Sequence, residues 1–369
     1  MRNNEKLRVA IIGCGAIALD HLGAIKTNCG PVELHLCDRN PEVAQRLSEA
    51  FRLDAKVHSD ALQLISEEEL DIVHVLTPPD SHYDIAKHAV QNGANVLVEK
   101  PMALTLEETK DLILLGEKMN QMICVDHSLM YMQCVLKAFE LVRRGTLGAV
   151  IAVHCFFGHA ERRKTIPYGG VSHWAYDLPG GPLANIISHP ASLLVELLGK
   201  PDLINFICDA RNFMPYGFSD LVDVSIQTPK GHGSFTISMA HGNSSRYVNI
   251  ECEKGSLYVD LGRQLMIAKS HKGRLGFISK AFGGIGQGFS FINGTLGVIY
   301  KVATKKLKRN PGTRDLVAQF YKAVRNDLPC PVSKDNAIGV AEIFEQVLTV
   351  GNSKSCCGKS HDKIDTVAG

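Results

Sequence analysis

The stretch Leu7-Arg8-Val9-Ala10-Ile11-Ile12-Gly13-Cys14-Gly15-Ala16-Ile17-Ala18 decides how the N-terminal part of this chain folds. The apolar run up to Ile12 reads as a buried strand, and the pattern G-x-G-x-x-A follows it where a helix begins. In that setting each small residue has a task. Gly13 permits a tight turn, Gly15 lets backbone approach an anion, and Ala18 lets the helix pack close to the strand. The helix start around Ala16 and Ile17 then offers unpaired N–H groups and a positive dipole end to a pyrophosphate. The same run also has the charged start and apolar middle of a secretory signal, but only the phosphate turn explains both glycines and Ala18.

Working outward, Val32 to Cys37 forms a second strand-like run, and Asp38 ends it 20 residues past Ala18. A carboxylate there can accept from ribose hydroxyls and repel a 2′-phosphate, which favours NAD. Arg39 beside it would instead suit NADP. Further strand-like runs, Asp71 to Leu76, Asn95 to Glu99 and Met122 to Val125, alternate with helical patterns at Pro41, Ser81 to Gln91 and Thr105 to Met119. Continuous apolar strands separated by helices predict a doubly wound parallel sheet, a Rossmann domain over 1–125. Beyond a helix at Met132 to Arg144 the texture changes. Strand patterns follow in series: Val150 to Phe156, Leu203 to Asp209, Leu221 to Gln227, Gly233 to Ala240, Tyr247 to Cys252 and Ser256 to Asp260. They predict a large, mostly antiparallel sheet with one open face, in an α/β domain over 126–350 that carries a helix at Pro190 to Leu198. Helices at about Gly312 to Asn326 and Lys334 to Val350 close the fold, and 351–369 reads as a mobile tail.

Composition excludes several functions. Lys+Arg 40 against Asp+Glu 38 leaves a formal charge of +2, too little to recruit nucleic acid. No apolar stretch is long enough to span a membrane. The 11 cysteines follow no framework spacing, which fits reduced thiols and a cytoplasmic protein. Cys356, Cys357 and His361 lack a second pair at metal-site spacing, so no metal is expected.

The chemistry-bearing residues gather at strand ends. Glu99-Lys100-Pro101 stands at the carboxyl end of one strand, and Thr77-Pro78-Pro79 with His82 ends the preceding strand at the same edge, where open α/β sheets place ligands. Aiming Lys100 into that cleft calls for a cis bond to Pro101. In its glycine fingerprint, Thr-Pro-Pro…His and Glu-Lys-Pro motifs, the chain resembles the glucose–fructose oxidoreductase / inositol dehydrogenase / MocA family. Leu141 to Gly148, Gly180 to Leu183 and Pro331 to Ser333 extend the resemblance over nearly the whole chain.

That resemblance implies an NAD(P)-dependent enzyme moving a hydride between nicotinamide and a hydroxyl or carbonyl of a sugar or polyol. It implies that Lys100 contacts the reacting oxygen, that the Thr77, Pro78, His82 and Glu99 segment borders the cofactor, and that His189 is the acid/base. The family motif Asp-x-x-x-His is here Asn185-Ile186-Ile187-Ser188-His189, so the orienting carboxylate is replaced by an amide. Asn185 is then expected to hold the His189 ring with less basicity, with Asp177 as a substitute carboxylate. Tyr131 and Tyr176 are alternative proton donors, and His127 and Trp174 complete the expected substrate contacts. A non-enzymatic nucleotide-binding regulator, or a lyase or hydrolase holding NAD tightly, remains an alternative on the same scaffold.

The open sheet face predicts a homodimer or homotetramer. One segment stands apart. Residues 275–300 hold a single charge, Lys280, with several glycines and aromatics, and the basic Lys301, Lys305, Lys306, Lys308 and Arg309 follow. Its glycines argue against a long regular helix. A neighbouring subunit is the expected cover for its aromatics, and a peripheral contact of 275–309 with an anionic membrane surface is the lesser alternative.

Overall fold

A computed structural model of the chain describes residues 5–160, 173–211, 213–214, 217–270, 288, 291–292, 294–300, 303–304 and 310–355. The N-terminal sheet has six parallel strands: β1 (Leu7–Ile12), β2 (Val32–Cys37), β3 (Ala55–His58), β4 (Ile72–Val75), β5 (Asn95–Val98) and β6 (Ile123–Val125). Their order is β3-β2-β1-β4-β5-β6, which reverses between β1 and β4. That reversal opens a crevice at the strands' carboxyl ends, between the loops that follow β1 and β4. Helices α1 (Ala18–Asn28), α2 (Pro41–Phe51), α3 (Ala61–Glu67), α4 (His82–Gln91) and α5 (Leu106–Met119) connect the strands. Local chemistry fixes their starts. Asn40 caps α2 ahead of Pro41, and Thr105 with Glu108 forms a reciprocal capping box on α5.

After α6 (Gln133–Arg143) comes a seven-stranded sheet: β7 (Val150–Ala160), β8 (Leu203–Asp209), β9 (Leu221–Thr228), β10 (Gly231–Ser238), β11 (Ala240–Cys252), β12 (Gly255–Asp260) and β13 (Leu265–Ser270). The order is β13-β12-β11-β7-β10-β9-β8, and every pairing is antiparallel except β10 with β7. One face buries Val153, Cys155, Phe157, Val224 and Phe235 against α7 (Ala184–Leu198). The other leaves Leu203 and Ile207 exposed, so the expected open face is present.

Helix α7 corrects one boundary. Proline at 190 predicts a helix start there, yet the helix begins at Ala184 and carries Pro190 inside it. The cost of the missing N–H is offset by burial of Ile186, Ile187, Leu193 and Leu194, which packing rewards more than propensity penalises. As a result Asn185 and His189 lie one turn apart on the same helix.

The last two helices tie the halves together. Helix α8 (Pro311–Asn326) packs on α1, and the Arg325 guanidinium donates to the carbonyls of Cys29, Glu5 and Pro31 at 2.9–3.1 Å. Helix α9 (Lys334–Ser355) packs on α5 and α7 and runs past the expected boundary at 350, while 356–369, including Cys356, Cys357 and His361, lies outside the described residues. Most of 275–309 also lies outside them. Its described stretch 294–300 is helical despite Gly294 and Gly297, and the ring of Phe291 lies 6.4 Å from that of Tyr258 on β12. Phe291, Ile292, Leu296, Ile299 and Tyr300 are all exposed. No helix among the described residues is long and apolar enough to cross a membrane.

Candidate active site

A cavity of about 1050 Å³ runs from the β1–α1 turn to the inner face of the second sheet. Gly13, at φ +94°, lies so close to β4 that a Cβ there would meet the carbonyl of Leu76 at 2.7 Å. A Cβ on Gly15 would meet nothing within 4 Å and would project into open space. The two glycines therefore serve different ends. Gly13 seats the turn on the neighbouring strand, and Gly15 leaves room above it. No side chain caps the start of α1 at Ile17, and Gly15, Ala16 and Ile17 line the cavity there, so the positive end of the helix dipole faces it. Ala18 is fully buried beneath the turn, where close helix–strand packing requires a small residue. Asp38 lines the cavity while its carboxylate accepts from the N–H of Cys14 at 2.9 Å and of Asn40 at 3.0 Å. It thereby pins the glycine turn to the end of β2. Arg39 lines the same end and is exposed. These residues fit a dinucleotide: a bare helix start, a cradle a side chain would fill, and a carboxylate beyond it.

At the centre of the cavity the Lys100–Pro101 bond is cis, as expected. The Lys100 ammonium donates to the backbone carbonyl of Asn185 at 2.7 Å and to its Oδ1 at 2.5 Å. Burial lowers its pKa, opposed by the negative charges of Glu99 and Asp126. Asn185 thus holds the lysine and not the histidine ring, which corrects the reading of this amide as the partner of His189. The geometry is simple: α7 starts early, so its first turn lies against Lys100.

His189 lines the cavity one turn further along α7, and its ring nitrogens bond no described residue. Burial, then the positive charges of Lys100 and Arg246, hold its pKa well below the usual imidazole range. It is a neutral ring, able to accept a proton. His82 borders the cavity, but its two ring nitrogens lie 2.8 Å from the carbonyls of Thr77 and Pro101. Its work is to clamp the loop after β4 to the cis-proline turn, which brings Thr77, Pro78 and Glu99 to the cavity wall.

Other expected contacts fall elsewhere. The Tyr131 hydroxyl donates to the carbonyl of Pro331 at 2.5 Å, and burial pushes its pKa up, so it is no proton carrier. His127 is buried behind the site, donates from Nδ1 to Asn336 at 2.8 Å, and is pushed down to about 4 by burial. Tyr176 packs edge-on against Phe218, 5.8 Å between ring centres, away from the cavity wall. Asp177 is exposed and does not border the cavity, so it does not replace the missing carboxylate. Trp174 does reach the cavity, beside His173.

Beneath Lys100 lies an ionic cluster that the sequence did not announce. His21 Nε2 stands 3.3 Å from Asp126 and 3.8 Å from Glu99. These carboxylates outweigh the cost of burial and raise the His21 pKa to about 9. His21 Nδ1 then donates to His74 Nδ1 at 2.9 Å, a ring that burial keeps neutral, and His74 Nε2 lies 2.9 Å from the Tyr321 hydroxyl. Arg246 is the other residue missed. Nothing in its local sequence distinguishes it, and only the register of β11 brings it to the cavity.

Comparison with known proteins agrees with this arrangement. Residues 7–127 match the profile of an oxidoreductase family with an NAD-binding Rossmann fold, and residues 135–258 match the GFO/IDH/MocA C-terminal domain. An uncharacterized oxidoreductase of Synechocystis sp. is 26% identical over 283 residues, covering 70% of this chain and 72% of that one. D-glucoside 3-dehydrogenase of Escherichia coli is 29% identical over 199 residues, covering 54% of this chain and 56% of its own length. Among solved structures, levoglucosan dehydrogenase in complex with NADH and levoglucosan superposes with a TM-score of 0.76 at 16% identity, over 95% of this chain and 98% of that one. The WlbA dehydrogenase from Bordetella pertussis, in complex with NADH and UDP-GlcNAcA, gives 0.73 at 19% identity, over 96% of each chain.

Proposed function

The chain belongs to the GFO/IDH/MocA family of NAD-binding oxidoreductases, and on that premise we propose that it is a dehydrogenase acting on a CH–OH group of a sugar, polyol or sugar derivative, with NAD in preference to NADP. The observation that carries this reading is the pair formed by Lys100 and His189 on one cavity wall. When bound, the nicotinamide supplies the acceptor for the hydrogen on carbon. The protein's part is the proton on oxygen. An ammonium has three donors, and Asn185 takes two of those of Lys100. The third is left to hold the substrate hydroxyl and to stabilise charge that develops on its oxygen. His189, kept neutral, accepts the hydroxyl proton. His82 clamps the Pro101 turn to the loop after β4, and the contacts to Asn185 hold the lysine that precedes it. Asp38 at the ribose end supports the preference for NAD, because a 2′-phosphate beside its carboxylate would meet like charge.

The test is production of NADH, read by absorbance, against a library of sugars and polyols, with Lys100→Ala alongside. Turnover by the wild type, lost in Lys100→Ala while NAD affinity stays within a few-fold, is the expected result. Full activity of the alanine variant would remove Lys100 from the chemistry.

A further inference from the structure

Arg246 lies on the inner face of the second sheet, part-buried, and borders the same cavity as His189. Its guanidinium makes no hydrogen bond or ion pair with any described residue. Asp260, the nearest acid along the adjoining strand, is occupied by Arg263 at 2.7 Å. Arginine carries five donors and holds its charge, so leaving it half out of water without a counter-charge is unfavourable. A second orphan stands beside it. His159, on the neighbouring strand β7 and on the same face, has its Nε2 buried with no hydrogen-bond partner. His189 feels the charges of Lys100, Arg246 and His159, and His159 that of Arg246, in each case after burial as the larger cause of its lowered pKa.

The distribution of acids sharpens the point. Asp38, Asp60, Asp80, Asp84 and Glu99 border the cavity from the Rossmann side. From Lys100 onward in the chain, no described residue bordering it is an Asp or Glu. The substrate side is thus a wall of donors and cations that lacks its counter-charge.

We propose that this wall binds an anionic group of the substrate, a carboxylate or a phosphate, on Arg246, so that the enzyme acts on an acidic or phosphorylated sugar in preference to a neutral one. The inference rests on the dehydrogenase reading for its substrate, but Arg246 binds the anion whether or not turnover follows. A guanidinium pairs both oxyanions in a two-pronged geometry that a lysine cannot match, which makes Arg246 a specificity residue and not a catalytic one.

The experiment titrates the NAD-loaded full chain by calorimetry with three probes: D-glucuronate for the carboxylate, UDP-glucose for the phosphate, and D-glucose as the neutral control. NADH formation is read in parallel. The expected result is that one anionic probe binds at least about tenfold more tightly than glucose. Arg246→Gln should then weaken that probe by about 10- to 100-fold, and Arg246→Lys should recover part of the loss. NAD affinity reports that each variant is folded. Which of the two anions is favoured decides between carboxylate and phosphate. Equal binding of all three probes, or no effect of Arg246→Gln on the anionic one, overturns the proposal even if sugars are oxidised. Arg246-dependent anion binding without NADH under any condition would overturn the dehydrogenase reading and leave this subsite standing.

Discussion

The cluster beneath Lys100 makes stability depend on pH in a direction opposite to most buried histidines. His21 sits fully buried between Asp126 and Glu99, and these raise its pKa from the ordinary 6.5 to about 9. The folded state therefore binds one more proton than the unfolded chain between those two values. Stability from this group is complete below pH 6.5 and is lost as pH rises toward 9. At ~1.4 kcal/mol per pH unit, the whole loss is about 3 kcal/mol. In a domain of this size that corresponds to a fall of roughly 6–12 °C in melting temperature. Urea denaturation at pH 6.5, 7.5, 8.5 and 9.5 measures it. His21→Gln is the control: it should remove the His21 share of the pH dependence and also destabilise the protein at pH 6.5 by about 3–5 kcal/mol, because buried Asp126 and half-buried Glu99 lose their cation. Asp126→Asn should move the wild-type transition to lower pH. The Cys124–Cys330 pair also has shifted thiols, one up and one down, and the glutamine control subtracts it. A wild-type curve that is flat over this range, or an equal slope in His21→Gln, would refute the reasoning.

Three further outcomes are expected. Asn185→Asp should raise the pKa of both Lys100 and His189 by placing a carboxylate at 2.5 Å from the ammonium, and the acid limb of the kcat/KM profile should move up by at least about one pH unit; an unmoved profile would mean that neither group titrates in turnover. Calorimetry should find NAD(H) bound more tightly than NADP(H), with the gap narrowed in Asp38→Ser; tighter NADP(H) would transfer the leading role to Arg39. Deleting 275–309 should weaken self-association in sedimentation, since five exposed apolar residues there want a protein surface. Salt-sensitive co-sedimentation of the intact chain with anionic vesicles, lost on deletion, would assign that surface to lipid instead.

How legible the fold was depended on how local its causes are. Strands β1, β2, β4 and β5 are buried on both faces and read as unbroken apolar runs. Strand β3 escaped notice because an edge strand of four residues carries only Ala55 and Val57 as apolar signal. The early start of α7 was hidden by a sound rule about proline that tertiary packing overrode. At the site, Gly13, Gly15 and Asp38 were legible because one turn and one strand end contain their whole argument. The bond between Lys100 and Asn185 spans 85 residues, and no spacing rule reaches across two sheets to predict it. Tyr131 had the right chemistry in the right neighbourhood, but direction is set by the turn that carries it, and that turn aims it at Pro331.

The replacement of an aspartate by Asn185 makes sense once the charges around Lys100 are counted. Two cations, Lys100 and protonated His21, face two carboxylates, Glu99 and Asp126, and the sum is zero. A third carboxylate at 185 would leave the cluster negative and would draw His189 toward its protonated, non-accepting form. An amide keeps both oxygen contacts to Lys100 and adds no charge, so the ring beside it stays a base. With the cluster neutral in itself, Arg246 is, among the described residues bordering the cavity from the second sheet, the cation that it does not balance. The amide and the unpaired guanidinium are thus two consequences of one electrostatic arrangement, closed around the lysine and left open toward the substrate.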